Sequence, residues 1–299
     1  MKNKKIILIV GPTAVGKTAL SIYLSKKLKT EIISCDSRQF YRELKIGTAP
    51  PSKEELSQVK HHFIHNKSVS ENYNAGEFEK DAIKKINELH KTKDIVIAVG
   101  GSGLYIDAIC KGFDKMPNIS DEIRAHINKE FKQNGIEWLQ KEVHKIDPIF
   151  LKNADKENPH RLLRALEIYK SSGKKLSSLK SNNPKIRPFQ IIKIGLNIER
   201  DLLYNKINTR VDKMIKEGLL DEVKSLLHFK ERNALQTVGY KELFHHYKDK
   251  FSAKEAISKI KQNTRRFAKR QITWFKKDQS IKWFEPNQIN EINDFISKL

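Results

Sequence analysis

Residues 11–18, Gly11-Pro12-Thr13-Ala14-Val15-Gly16-Lys17-Thr18, carry two glycines, a lysine and a hydroxyl at the G-x-x-x-x-G-K-[ST] spacing. That combination cradles a di- or triphosphate. The glycines let the backbone turn tightly enough for successive N–H groups to face one anion, and a helix starting there adds its positive end. Lys17 supplies a point charge to terminal phosphate oxygens, and the Thr18 hydroxyl suits Mg²⁺. The spacing specifies a phosphate chain and leaves open what that chain is attached to.

Further chemistry-bearing residues follow other apolar runs. Asp36 stands in Cys35-Asp36-Ser37-Arg38-Gln39. Its carboxylate could hold a substrate hydroxyl, bind Mg²⁺ through water, act as a general base, or simply cap a helix. Cys35 reads as a small buried residue rather than a nucleophile, since no base neighbours it. The run 95–99 ends in Gly100-Gly101-Ser102-Gly103, where an ATP-hydrolysing protein would carry an Asp for Mg²⁺. That departure counts against hydrolysis; the glycines allow backbone to approach a ligand, or form a plain tight turn. Arg210 falls on an apolar helical stripe with Leu203, Ile207 and Met214, so it needs an anion: a carboxylate or a phosphate. His61, His62 and His65 lack the further ligands zinc requires and read as a packed or solvated segment.

The elements that must position these residues alternate. Strand candidates at 6–10, 31–35, 95–99 and 191–196 are separated by helical patterns, which predicts a parallel sheet. Right-handed crossovers then put every strand's carboxyl end on one edge, so Asp36 and Gly100–Gly103 should converge on the phosphate loop. Residues 116–186 lack strand signals. Ser120 should cap one helix; Asn158, followed by Pro159 and closed by Gly173, should cap another. This predicts a P-loop NTPase-like α/β core at 1–115 and 187–299 with a small all-helical insertion at 116–186. After residue 196 only helices are expected. On the last long one Ile257, Ile260, Thr264, Phe267, Gln271 and Trp274 share one face, with Arg265, Arg266, Lys269 and Arg270 over the rest; almost free of acids and carrying aromatics, it suits contact with a nucleic-acid backbone.

Composition agrees with such a partner. The chain has 299 residues and a net charge of +22, and 38% hydrophobic content supports a real core. Much of the charge is lysine, but eight of the 12 arginines fall in the segments named here, and arginine forks match phosphate geometry. No apolar run approaches the roughly 18 residues of a membrane span, and two cysteines make no disulfide framework. A soluble cytoplasmic protein is expected.

Taken together, these segments resemble one family, the tRNA dimethylallyltransferases. The resemblance rests on residues 11–18, Asp36-Ser37-Arg38-Gln39-Phe40-Tyr41, Ile46-Gly47-Thr48-Ala49-Pro50, Tyr73-Asn74-Ala75-Gly76-Glu77-Phe78 and residues 99–105. It continues through Asn158-Pro159-His160-Arg161-Leu162-Leu163-Arg164-Ala165-Leu166-Glu167, Gln236-Thr237-Val238-Gly239-Tyr240-Lys241-Glu242 and the basic run 265–275. His65 departs from the pattern, which tends to an acid there. The chain looks like the bacterial form, without a C-terminal zinc finger.

The resemblance implies transfer of a dimethylallyl group from dimethylallyl diphosphate to the exocyclic amine of the adenine 3′ of the anticodon, in tRNAs reading codons that begin with U. Residues Gly11 to Thr18 would hold the diphosphate, with Mg²⁺ at Thr18; Thr13 and Arg210 would assist the departing oxygen, and Asp36 would be the general base. Asp36, Ser37, Arg38, Gln39, Ser102, Arg124, Arg161, Leu162, Leu163, Arg164, Ala165, Gln236, Thr237, Val238, Gly239, Tyr240 and Lys241 would contact tRNA, whose target base must flip out of its stack. A monomer is implied. Rival readings are an adenylate isopentenyltransferase acting on free nucleotide, a P-loop small-molecule kinase, and a non-catalytic RNA-binding module.

Overall fold

The computed structural model describes residues 4–181 and 183–298. Six strands, β1 (Lys5–Val10), β2 (Ile32–Ser34), β3 (His61–His62), β4 (Ile95–Gly100), β5 (Gln190–Leu196) and β6 (Ile281–Phe284), form one sheet in the order β3-β2-β4-β1-β5-β6. All its pairings are parallel. In the central strand β1, Ile6, Ile7, Leu8, Ile9 and Val10 are fully buried. A central parallel strand is covered on both faces, which is why this segment is an unbroken apolar run.

Helices α1 (Lys17–Lys27), α2 (Lys53–Gln58), α3 (Ala75–Leu89) and α4 (Gly103–Cys110) link the first strands. A second compact unit, Gly112–Lys185, follows. It holds α5 (Asp121–Ile146), α6 (Pro148–Asn153), α7 (Pro159–Ser172) and α8 (Leu176–Leu179). Its boundaries lie at 112 and 185 rather than 116 and 186. Ser120 caps α5 through the Ile123 amide; Asn158 caps α7, with Pro159 in its first turn and Gly173 at φ 69° after its end. α5 breaks at Gly135, where φ is 75°. The unit packs around Ile127, Leu139, Val143, Leu162, Leu166 and Ile168.

The chain then rejoins the sheet unit with α9 (Arg200–Lys216), α10 (Leu219–Ser225), α11 (Tyr240–His246), α12 (Ala253–Phe275) and α13 (Ile289–Ser297). Leu20 and Leu24 of α1, Leu203 and Ile207 of α9 and Ala268 of α12 join Ile7, Ile97 and Ile194 in one core.

Two expectations need correction. Ile281–Phe284 is an edge strand on β5, where only helices were expected, and His61–His62 is a short strand on β2. Both are too brief to establish a period and are defined by their partner strands. On α12 the buried face runs through Ala256, Ile260, Ala268, Gln271 and Phe275, while Phe267 and Trp274 are among the exposed large apolar residues. Among the described residues no helix is long and apolar enough to cross a membrane.

Candidate active site

The phosphate loop joins β1 to α1 at the carboxyl edge of the sheet. Gly11, Ala14 and Gly16 have φ of 145°, 66° and 106°, an alternation that turns main-chain N–H groups toward one side. A Cβ on Gly11 would stand 2.5 Å from the Leu196 carbonyl oxygen of β5, so only glycine fits. No side chain caps α1, and no acid occupies its first turn. Its amides and positive end are therefore available to an anion.

Two buried basic side chains flank the loop. The Lys17 ammonium donates to the Pro12 carbonyl at 2.6 Å. Burial, and then the nearby Arg210, push its pKa down to about 7, against the pull of Asp36. Arg210 projects from α9 beside the buried stripe Leu203, Ile207 and Val211, and donates to the Thr13 hydroxyl at 3.3 Å. Burial lowers its pKa as well. Among the described residues no carboxylate forms an ion pair with Arg210 or Lys17. Two desolvated cations side by side cost free energy that a bound polyanion offsets.

Asp36 follows β2. One of its oxygens, Oδ1, accepts from the Arg38 amide at 2.8 Å and the Gln39 amide at 3.3 Å, an Asx-type turn. Burial raises its pKa, opposed by those two amides and by Lys17 and Arg38. The strand ends do converge: Gly100 packs on the Cys35 carbonyl just before Asp36, and Gly101 lies against the Gly11 carbonyl of the phosphate loop. Ser37 and Ser102 tie the ends of β2 and β4 together: the Ser37 amide donates to Ser102 Oγ at 3.0 Å, and the two hydroxyls lie 3.2 Å apart. Gly100 leaves no room for a side chain, because a Cβ there would overlap the Cys35 carbonyl. The Cys35 thiol is buried, and its pKa is raised well above the ordinary value, so it is no nucleophile.

Gln271 completes the frame. From α12 its amide oxygen accepts from the Thr13 N–H at 2.9 Å, and its amide nitrogen donates to the Gly101 carbonyl at 2.8 Å. Its sequence signal was a polar residue on an otherwise apolar helix face. The histidines are engaged otherwise: His62 Nε2 meets Glu31 at 2.7 Å, and His61 Nδ1 meets the Val59 carbonyl at 2.8 Å.

A family model described as IPP transferase matches residues 39–278. The chain belongs to the IPP transferase family. The tRNA dimethylallyltransferase of Christiangramia forsetii is 52% identical over 292 residues, 97% of each chain. That of Flavobacterium johnsoniae is 51% identical, over 98% of this chain and 97% of the relative. A solved tRNA isopentenylpyrophosphate transferase of Bacillus halodurans matches with a TM-score of 0.74 and 37% identity, over 99% of this chain and 96% of its own. A eukaryotic dimethylallyltransferase captured acting on tRNA matches with a TM-score of 0.81 and 26% identity, over 99% of this chain and 80% of its own.

The segments expected to contact tRNA differ in exposure. In the helical unit Arg161 and Arg124 are exposed and Arg164 is partly so; the buried Glu167 carboxylate pairs with Arg124 and Arg164 at 3.7 Å each. Leu162, Leu163 and Ala165 are instead buried in that unit's core, because the period of α7 turns them inward. Their side chains are therefore not exposed at the surface. Tyr240 is likewise fully buried and Gly239 buried, whereas Gln236 and Lys241 are exposed and Thr237 and Val238 half-buried.

Proposed function

We propose that this chain transfers the dimethylallyl group of dimethylallyl diphosphate to N6 of the adenine 3′-adjacent to the anticodon of tRNA, releasing diphosphate. The observation that carries this is the pair of buried basic groups, Lys17 and Arg210, which form no ion pair among the described residues and flank the phosphate loop, with the proton acceptor Asp36 on the neighbouring strand end. The loop amides and these cations hold the diphosphate and stabilise charge that grows on it as the C–O bond breaks. Thr13, held by Arg210 and Gln271, would hydrogen-bond the bridging oxygen as it departs.

An adenine amine is a weak nucleophile because its lone pair is delocalised. Asp36 accepts its proton as the C–N bond forms, and the raised pKa makes the carboxylate a better acceptor than an exposed one. The hydroxyl of Thr18, in the first turn of α1 beside Lys17, supplies one hard oxygen. That donor set fits Mg²⁺, which keeps waters and takes its remaining ligands from phosphate. When bound, Mg²⁺ would neutralise diphosphate charge. Arg124, Arg161, Arg164, Gln236 and Lys241 would contact the anticodon stem-loop through phosphates, while Ser37, Arg38, Gln39 and Ser102 would meet the flipped base. The chain would work as a monomer in the cytoplasm.

The test is incubation with Mg²⁺ and labelled dimethylallyl diphosphate, with unmodified tRNA and AMP in separate reactions. Label in tRNA alone is expected. Label in AMP alone would move the chain to free-nucleotide prenylation, and phosphate transfer from ATP without label in either would make it a kinase.

A further inference from the structure

Glu222 lies in the amphipathic stretch Leu219-Leu220-Asp221-Glu222-Val223 of α10, where its type marks it for nothing but solvent. In the fold its carboxylate accepts four hydrogen bonds. The amides of Lys45 and Ile46 each reach Oε2 at 2.8 Å; the Gly47 amide reaches Oε1 at 3.0 Å and the Tyr240 hydroxyl reaches it at 2.6 Å. Gly47 packs so closely on the Tyr240 ring that a Cβ would lie 2.7 Å from it. Residues 45–47, α10 and the start of α11 are thus locked together by one side chain. Three of its four donors are backbone N–H groups, which fixes a loop conformation rather than a side-chain pair.

The chain of contacts continues to the acceptor side of the site. Just beyond the clamp, the carbonyls of Thr48 and Ala49 accept from the Gln39 side-chain amide at 3.3 and 3.0 Å. The Gln39 main-chain N–H is in turn one of the two donors that hold Asp36 Oδ1. On the phosphate side, Thr13 is bonded to Gln271 and to Arg210, and Lys17 to the Pro12 carbonyl, not to this network.

We infer that Glu222 is a positioning residue for the acceptor half of the reaction: it fixes residues 45–49 against Tyr240, and through the Gln39 amide it holds the turn that presents Asp36 to the adenine. This rests on Asp36 being the group that faces the acceptor.

The test is E222Q, which puts an amide donor where the loop N–H groups need an acceptor, assayed with tRNA and dimethylallyl diphosphate varied separately. The value of kcat/KM for tRNA should fall by about 10-fold or more, with KM for dimethylallyl diphosphate within about 2-fold of the parent. Calorimetric binding of inorganic diphosphate should be unchanged, which reports a folded protein. An unchanged tRNA kcat/KM, or a rise in KM for dimethylallyl diphosphate as large as that for tRNA, overturns the inference. If E222Q fails to bind diphosphate, Y240F carries the test, since it removes one of the four bonds and keeps the ring. A rise in KM for tRNA of about 3-fold is then expected, and no rise overturns the inference. Absence of tRNA transfer by the unsubstituted protein is a separate result and bears on the proposed function itself.

Discussion

Gln271 and Thr13 are 258 residues apart in the chain, yet the Gln271 side chain accepts the Thr13 N–H at 2.9 Å while its own amide holds the Gly101 carbonyl at 2.8 Å. One buried amide therefore couples the phosphate loop after β1 to the end of β4. Gln271→Leu keeps the volume and removes both bonds, leaving a donor and an acceptor unpaired. We expect a stability loss of about 1–3 kcal/mol and weaker diphosphate binding. Chemical denaturation and calorimetry would measure both, and unaltered diphosphate affinity would assign Gln271 to packing alone.

Asp36→Asn keeps the side chain's size and one amide-accepting oxygen while removing the proton acceptor. Transfer to tRNA should fall by about 100-fold or more, with diphosphate binding retained. Asp36 must be ionised to act, and burial raises its pKa, so the acid limb of the rate should lie above the ordinary carboxylate range. A pH–rate profile with saturating substrates checks this, and a limb unchanged in the Asn variant would remove Asp36 from the role.

Burial, with Arg210 nearby, lowers the Lys17 pKa to about 7. Above pH 7 the folded protein holds this lysine neutral while the unfolded chain keeps it protonated. The Lys17 contribution therefore makes stability rise with pH from about 7 to about 10. Diphosphate binding restores the proton, so its affinity should weaken as pH climbs through 7, with uptake of up to about one proton. Titration calorimetry in buffers of different ionisation enthalpy, compared with Lys17→Met, isolates that proton; equal uptake by both proteins would contradict the assignment.

Arg161 and Arg164 lie on the one helix α7 and are the arginines of the run 161–165, whose leucines and alanine are buried. Replacing both arginines by alanine should reduce the slope of log affinity against log salt for tRNA by about 1–2, as two phosphate contacts are lost. Filter binding across a salt series measures the slope, and an unchanged one would place these arginines off the RNA path.

How far each feature is legible in the sequence depends on where its partners lie. The phosphate loop needs eight consecutive residues and a strand before them, so Gly11, Gly16, Lys17 and Thr18 declare it locally. The convergence of Asp36 and Gly100 on that loop is also legible, because parallel strands joined by right-handed crossovers send their carboxyl ends to one edge. Caps at Ser120 and Asn158 are decided within a single turn. Burial of Leu162, Leu163 and Ala165 follows from helix period, although a matching motif drew attention to them as contacts. Only the tertiary structure decided that Gln271 reaches Thr13, that Glu222 gathers the amides of residues 45–47, and that Ile281–Phe284 pairs with β5. Each of these depends on a partner brought near by packing of distant helices and strands. A side chain's type and its local period record which way it points, not which backbone amide will be waiting there.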